Sequence, residues 1–140
     1  YMGKSGAGHF VKMVHNGIEY GMMQAIAEGF EVMKKSEFNF DLRKIADLYN
    51  HGSVVESHLV EWLKEGLEKY GENLDEISGK VSHSGEGLWT VEAAKELGVS
   101  VPIIEGALNF RIQSQEKPSF SGQALSAMRN MFGGHSVGKN

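Results

Sequence analysis

Apolar and small residues recur at steps of three and four from Gly8 to about Lys35, which is the spacing of one face of an α-helix. This pattern predicts one long helix, and its stripe consists of Val11, Val14, Ile18, Met22, Ala25 and Gly29. Shorter patterns of the same kind predict five more helices, and the strict alternation typical of a strand is nowhere sustained. The sequence therefore predicts an all-α, multi-helix domain built on one long N-terminal helix.

Capping residues and helix breakers predict the ends of the shorter helices. The predicted starts are Asp41 as N-cap of the second helix, Ser53 to Glu56 as a capping box for the third, Thr90 as N-cap of the fourth, Pro102 in the first turn of the fifth and Ser121 as N-cap of the sixth. The glycine-rich segment 72–87 is predicted to be a surface loop. The chain from His135 onward is predicted to be a polar tail that only a partner would hold.

The composition narrows the class of protein. With 140 residues, 41% of them hydrophobic, the chain is long enough to bury the core of one domain. The formal charge of −4 disfavours broad attraction to nucleic acid or an anionic membrane, and no apolar stretch approaches the roughly 20 residues of a membrane span. The absence of cysteine excludes disulfides, thiolate metal sites and cysteine nucleophiles. We therefore expect a cytoplasmic protein without nucleic-acid, membrane or metal partners.

One face of the long helix is polar. At 100° per residue, Lys12, Asn16 and Glu19 lie within a narrow sector, with His15 and Tyr20 on its borders. The same face continues through the apolar residues Met23, Ile26 and Phe30. We therefore expect the polar cluster to be packed against the rest of the domain rather than solvated.

The opposite face of this helix carries small residues four apart, namely Gly17, Gly21, Ala25 and Gly29. A glycine inside a helix costs about 1 kcal/mol relative to alanine. Three of them in one helix indicate that another helix or backbone segment approaches closely.

Lys12 and Glu19 are seven residues apart, which places them two turns or roughly 10 Å apart along the helix. They are therefore not a simple surface ion pair at i,i+4, and they could stand on two sides of a bound substrate. A desolvated lysine can act as a general base and a desolvated glutamate as a general acid. The alternative is a charged helix face that meets solvent or its own ion pairs.

Residues 6–21, GAGHFVKMVHNGIEYG, closely resemble the start of the C-terminal helical domain of the decarboxylating 6-phosphogluconate dehydrogenase family. The Gly-x-Gly-x-x-x-Lys-x-x-x-Asn part is also similar to the wider β-hydroxyacid dehydrogenase superfamily. Two further segments, 85–90 and 129–135, resemble the family's glycine-tryptophan-threonine element and its C-terminal arginine-histidine element. The resemblance covers essentially the whole chain and suggests the shorter bacterial form.

The resemblance implies the chemistry of the polar face. Lys12 would be the general base that takes the 3-hydroxyl proton of 6-phosphogluconate, and Glu19 would be the general acid that protonates C1 of the enediol. His15 and Asn16 would hold substrate hydroxyls, and Asn16 would also contact the nicotinamide end of the cofactor.

The resemblance also implies how the substrate phosphate is held. Tyr20 and Arg111 would bind it, while Arg129 and His135 would reach the active site of a neighbouring subunit. This sequence has Leu88 where the family's longer enzymes place a basic residue between glycine and tryptophan, a departure that concerns the phosphate cradle.

The same resemblance implies a division of the chain. Residues 1–7 would end a missing dinucleotide-binding domain, 8–132 would form the helical substrate-binding and dimerisation domain, and 133–140 would form the C-terminal tail. NAD or NADP would be bound mainly by the missing domain, so this chain should be inactive alone. We expect a homodimer or a higher homo-oligomer, with the helical domains intertwined.

Two alternatives stay open at this point. The chain could belong to an enzyme that oxidises a different β-hydroxy acid, for which Leu88 is the best support. It could also be a helical oligomerisation module whose active-site residues no longer act.

Overall fold

The computed structural model describes residues 1–138, and within them it contains six helices and no strand. The helices are α1 (Ala7–Lys35), α2 (Leu42–Tyr49), α3 (His58–Tyr70), α4 (Glu86–Glu96), α5 (Pro102–Ser114) and α6 (Phe120–Gly133). The 29 residues of α1 make it about 43 Å long. The all-α prediction and the long first helix are confirmed. The last two residues of the predicted tail, 139 and 140, lie outside the described residues.

The two halves of α1 belong to different cores. Its C-terminal half packs with α2, α3 and α6 around a main core, in which the largest fully buried side chains include Met23, Leu63, Leu125 and Met128. Its N-terminal half meets α4 and α5 around a smaller core of Tyr20, Val91, Ala107 and Leu108. Tyr20 is thus the innermost member of the polar face, because it points into the smaller core.

The predicted capping box at the start of the third helix is wrong. The helix begins at His58, and Ser57 is its N-cap because the Ser57 side chain accepts a hydrogen bond from the backbone N–H of Val60. The Ser53 hydroxyl instead donates to the carbonyl of Tyr49, at the end of α2. Residues 53–56 therefore belong to the turn that follows α2.

The predicted start of the fourth helix is also wrong. Helix α4 begins at Glu86, and its N-cap Gly85 has a φ of 94°, a left-handed conformation that favours glycine. Thr90 lies inside the helix, and its hydroxyl is 2.8 Å from the carbonyl oxygen of Met13 in α1. This threonine joins two helices instead of capping one.

The sixth helix begins earlier than predicted, at Phe120. Its N-cap is Ser119, whose hydroxyl accepts from the backbone N–H of Gly122. The predicted cap, Ser121, has both its backbone N–H and its hydroxyl directed at the carboxylate of Glu31 in α1. Ser121 therefore lies inside the first turn of α6 and ties this turn to α1.

The prediction of a surface loop over residues 72–87 is wrong for its first part. Leu74, Ile77 and Val81 are fully buried in the main core. The side chain of Gln123 in α6 donates to the carbonyl oxygens of Leu74 and Ile77, each at 3.0 Å. This segment therefore closes the core between α3 and α6, and its longest continuous exposed run is 82–84.

The C-terminal tail is held by its own chain, contrary to the prediction that only a partner would hold it. The backbone N–H of Ser78 donates to the carbonyl of Gly138 at 2.6 Å, and Val137 packs against the main core. The tail therefore lies against the same 72–81 segment that closes the core.

The prediction of close packing along the small-residue stripe is confirmed for its first half. A Cβ atom on Gly17 would lie 2.6 Å from Thr90, and one on Gly21 would lie 3.3 Å from Ile103. Ala25 and Gly29 are exposed, and a Cβ on Gly29 would meet nothing within 4 Å. Within the described residues, α4 and α5 cover only the N-terminal part of the stripe.

Candidate active site

Exposure along the polar face of α1 decreases toward its C-terminal end. Lys12 and His15 are exposed, Asn16 and Glu19 are half-buried, and Tyr20 is buried. The expectation that the whole cluster is packed is wrong for Lys12 and His15, because α4 packs on the Gly17 side of the helix and leaves them uncovered.

Asn16 is the centre of a hydrogen-bonded polar cluster. Its Oδ1 accepts from Lys12 Nζ at 2.6 Å and lies 3.0 Å from His15 Nδ1. His15 Nδ1 is in turn 4.0 Å from the carboxylate of Glu19. The structure thus brings together four of the residues singled out from the sequence.

Glu86 is a member of this cluster that the sequence reasoning missed. The Asn16 side-chain N–H donates to its carboxylate across 70 positions of sequence. Glu86 also lines a cavity of about 340 Å³ together with Lys12 and Trp89. No spacing rule links Glu86 to α1, so the sequence pattern could not predict this contact. The sequence feature that pointed to Glu86 was its place after Gly85 at a helix start, where the helix dipole favours negative charge.

A second cluster surrounds Tyr20 and contains two buried arginines. The Arg111 guanidinium lies over the Tyr20 ring, 3.4 Å from its centroid, and its Nη2 is 3.8 Å from the sulfur of Met23. Arg129 donates to the hydroxyl of Ser82 at 2.9 Å. Within residues 1–138 neither guanidinium forms an ion pair with a carboxylate.

Burial changes the electrostatics of both arginines. Loss of water lowers the pKa of Arg111 to about 10, the nearby charge of Arg129 adds to that decrease, and Tyr20 and Glu19 oppose it. Burial also lowers the pKa of Arg129, against the opposing effect of Tyr20 and Glu19. Both groups remain cationic at neutral pH. Glu19 acts on both arginines from a distance but is not ion-paired with either, so a bound anion would be stabilised between them.

The first turn of α4 fixes the position of Tyr20. Gly87 lies directly on the Tyr20 ring, and a Cβ there would be 2.4 Å from a ring carbon. The backbone N–H of Ser84 donates to the Tyr20 hydroxyl at 3.3 Å. The Tyr20 oxygen thus accepts one hydrogen bond from the backbone, and its O–H remains a donor group that a ligand could use.

His135 and Leu88 lie apart from both clusters. The His135 ring packs edge-on against Phe132, with 6.0 Å between ring centroids, and its carbonyl accepts from Asn130. Leu88 is exposed on α4 and carries no charge.

Neither a metal site nor a membrane helix is found within residues 1–138. No group of three or more histidine, aspartate or glutamate side chains there is arranged to hold a metal ion. None of the helices in this range is both long and apolar enough to cross a membrane.

The fold and the two clusters define a helical domain with a polar face at one end of a long helix and a buried arginine pair beside it. Residues 8–121 match the family model described as 6-phosphogluconate dehydrogenase, C-terminal domain. The chain belongs to this family.

Three relatives illustrate the similarity. Protein YqeC of Bacillus subtilis (strain 168), itself named only as a candidate 6-phosphogluconate dehydrogenase, is 48% identical over 139 residues, which cover 99% of this chain and 46% of the relative. The NAD(+)-dependent, decarboxylating 6-phosphogluconate dehydrogenase of Haloferax volcanii is 40% identical over the same shares. The decarboxylating enzyme of Lactococcus lactis subsp. cremoris is 41% identical over 84% of this chain and 26% of the relative. The chain thus spans less than half the length of these relatives.

Proposed function

We propose that this chain is the substrate-binding, catalytic and dimer-forming helical part of an enzyme that oxidatively decarboxylates 6-phosphogluconate to ribulose 5-phosphate with NAD or NADP. The observation that carries the proposal is the arrangement along the polar face of α1, with the Lys12–Asn16 hydrogen bond at one end and Arg111 over the Tyr20 ring at the other. The substrate has the matching layout, with a carboxylate and hydroxyls at one end and a phosphate at the other. The family membership supports the same assignment.

Lys12 and Glu19 handle the protons of this reaction. Lys12 takes the proton of the 3-hydroxyl as the general base, and a bound nicotinamide would supply the hydride acceptor for the oxidation at C3. The C1–C2 bond of the resulting 3-keto acid then breaks, carbon dioxide leaves, and the electron pair passes into the C3 carbonyl, to which protonated Lys12 donates. Glu19 protonates the carbon that becomes C1 of the product.

Asn16 and His15 orient the reacting end of the substrate and the nicotinamide beside it. His15 Nδ1 lies 3.0 Å from Asn16 Oδ1, and the same oxygen accepts a hydrogen bond from Lys12 Nζ. The cavity lined by Lys12, Glu86 and Trp89 leaves room next to this group. The main cofactor contacts belong to a dinucleotide-binding domain outside this chain.

Tyr20, Arg111 and Arg129 hold the phosphate. A phosphate dianion supplies the negative charge that the two buried guanidinium groups lack, and the Tyr20 hydroxyl can donate to one of its oxygens. In this structure Arg129 already lies in the cluster of its own chain, close enough to Arg111 to lower its pKa. His135 would complete the site of a neighbouring subunit in the homo-oligomer.

The test is an assay of the full-length protein that carries this chain, with 6-phosphogluconate and either NAD or NADP. We expect reduced nucleotide and carbon dioxide to form in equal amounts. Absence of turnover with both nucleotides would overturn the proposal, and it would favour a helical oligomerisation module without catalysis.

A second candidate is the oxidation of another β-hydroxy acid, and the uncharged, exposed Leu88 favours it. A panel of phosphorylated and unphosphorylated β-hydroxy acids separates the two candidates. Preference for an unphosphorylated acid would replace 6-phosphogluconate as the substrate, whereas preference for 6-phosphogluconate would show that Leu88 is compatible with phosphate binding.

A further inference from the structure

The orientation of the Asn16 amide is determined by the chemistry of its neighbours. An ammonium group can only donate hydrogen bonds and a carboxylate can only accept them. The atom that faces Lys12 Nζ must therefore be Oδ1, and the atom that faces Glu86 must be Nδ2. The two neighbours demand the same orientation, so the opposite one would place donor against donor and acceptor against acceptor.

Most of the hydrogen-bonding groups of the Asn16 side chain are already occupied by protein partners. The oxygen has two lone pairs, and Lys12 and His15 occupy both. The nitrogen has two N–H groups, and Glu86 takes one of them. Asn16 therefore meets a ligand with one remaining N–H, which selects an acceptor oxygen rather than a donor.

Glu86 is itself held firmly against α1. It lies in the first turn of α4, and the next residue, Gly87, rests on the Tyr20 ring. One turn further, the Thr90 hydroxyl donates to the carbonyl of Met13. These contacts on both sides of the carboxylate fix its distance from α1.

We propose that Glu86 is a positioning residue that locks the Asn16 amide, so that Oδ1 holds Lys12 and the free N–H points to the ligand. This inference rests on the proposed function, because it assigns Lys12 and Asn16 to the reacting end of the substrate. Without the Glu86 acceptor, the Asn16 amide can rotate and present a donor to Lys12, which moves the base away from the hydroxyl it must deprotonate.

Two variants and one control test the proposal in the full-length protein. Glu86→Leu removes the acceptor with a side chain of similar size, whereas Glu86→Gln keeps a neutral acceptor oxygen for Asn16. The control is Glu92→Leu, a change of the same kind at an exposed position on the same helix. We expect kcat of Glu86→Leu to fall about 10- to 100-fold, since misplacement of a reacting group by about 1 Å costs up to about 10²-fold. Glu86→Gln and Glu92→Leu should keep most of kcat.

The Michaelis constant separates positioning from a purely structural effect. The arginine pair is not touched by Glu86→Leu, so KM for 6-phosphogluconate should stay near the wild-type value. If α4 merely shifted, Gly87 would release Tyr20, and KM would rise. A raised KM with an unchanged kcat, or an unchanged kcat in Glu86→Leu, would overturn the proposal.

A nuclear magnetic resonance measurement reads the amide without turnover. With ¹⁵N-labelled asparagine, the side-chain resonances of Asn16 should shift in Glu86→Leu and remain close to wild type in Glu86→Gln. Unchanged resonances in Glu86→Leu would reject the role of Glu86. A wild-type protein that shows these shifts but does not oxidise 6-phosphogluconate would reject the proposed function and leave the Glu86–Asn16 lock in place.

Discussion

The two ends of the polar face of α1 are built differently. At the N-terminal end, Lys12 is exposed and donates a hydrogen bond to Asn16. Asn16 in turn donates to Glu86, and within residues 1–138 this bond links the cluster to another helix. At the other end, Arg111 and Arg129 are buried around Tyr20 by three helices and the 82–84 loop. The domain thus encloses the Tyr20 end of the polar face and leaves the Lys12 end open.

This difference fits a division of labour in the proposed enzyme. Buried, unpaired arginines cost folding free energy, which a bound anion offsets by supplying the missing charge. The open end can only exclude water once another surface covers it, and water exclusion is what strengthens electrostatic interactions at a reacting centre. We therefore expect the anion end to govern binding and the open end to govern turnover.

The largest effect is expected for Lys12→Ala. Loss of the general base should lower kcat about 10²- to 10⁴-fold, while KM for 6-phosphogluconate changes little because the arginine pair is intact. The melting temperature should stay the same, since Lys12 is exposed. Steady-state kinetics of the full-length protein check this, with the exposed Lys80→Ala as control. A kcat near the wild-type value in Lys12→Ala would remove the distinction between the two ends.

A smaller effect, of the opposite kind, is expected for Arg111→Met. KM for 6-phosphogluconate should rise about 10- to 100-fold, because hydrogen bonds to charged groups contribute about 1.5–3 kcal/mol. The free energy of unfolding should stay constant or increase, since an unpaired buried charge is replaced by an apolar side chain. Kinetics together with denaturant unfolding measure both quantities. Arg43→Met, which removes an arginine with carboxylate partners outside the site, should leave KM unchanged.

A pair of glycine substitutions tests the packing along the small-residue stripe on the opposite face of α1. Gly17→Ala should lower the free energy of unfolding by about 1–3 kcal/mol, because its methyl group would collide with Thr90. Gly29→Ala meets nothing within 4 Å and should raise stability by up to about 1 kcal/mol through helix propensity. Thermal or denaturant unfolding measures both variants, and equal effects would contradict the asymmetry of the stripe.

The smallest effect is expected at Glu31, whose carboxylate accepts hydrogen bonds from Ser121 and is ion-paired with Lys35, in contrast to the two arginines. Burial raises the pKa of Glu31, but hydrogen bonds from Lys35 and Ser121 outweigh it, so the pKa lies below the ordinary glutamate value of 4.5. A depressed pKa in the folded state stabilises the protein above the unfolded-state pKa, and this stabilisation is lost as pH falls through the folded-state pKa. Glu31→Gln should therefore lower stability by about 1 kcal/mol at pH 7. Denaturant unfolding at a series of pH values should show this difference shrinking below pH 4.5; a difference that does not depend on pH would contradict it.

The sequence predicted those features that depend on neighbours within one or two helical turns. The Lys12, His15 and Asn16 cluster follows from spacing on α1, and the structure places these side chains in contact. The helices themselves follow from periodicity in the same way. Local geometry was sufficient in these cases because the interacting residues are on one element.

The errors share a different physical cause. Ser53, Thr90 and Ser121 are residue types that favour helix caps, but each hydroxyl donates elsewhere, and for Thr90 and Ser121 the acceptor is on α1. Glu86 was missed for the same reason, since its partner is 70 positions away in the sequence. For Thr90, Ser121 and Glu86, contacts between distant segments decide the role, and a pattern within one segment does not contain them; Ser53 differs, because its partner is four positions away.

The placement of α1 against α6 also has a consequence for how the chain is made. Met23 and Phe30 in α1 are synthesised roughly 100 residues before the part of α6 that shares their core. At about 5–20 residues per second, this apolar surface waits roughly 5 to 20 s for α6. During that interval the C-terminal half of α1 presents apolar side chains to the surrounding solution, as exposed surfaces of incompletely synthesised domains do.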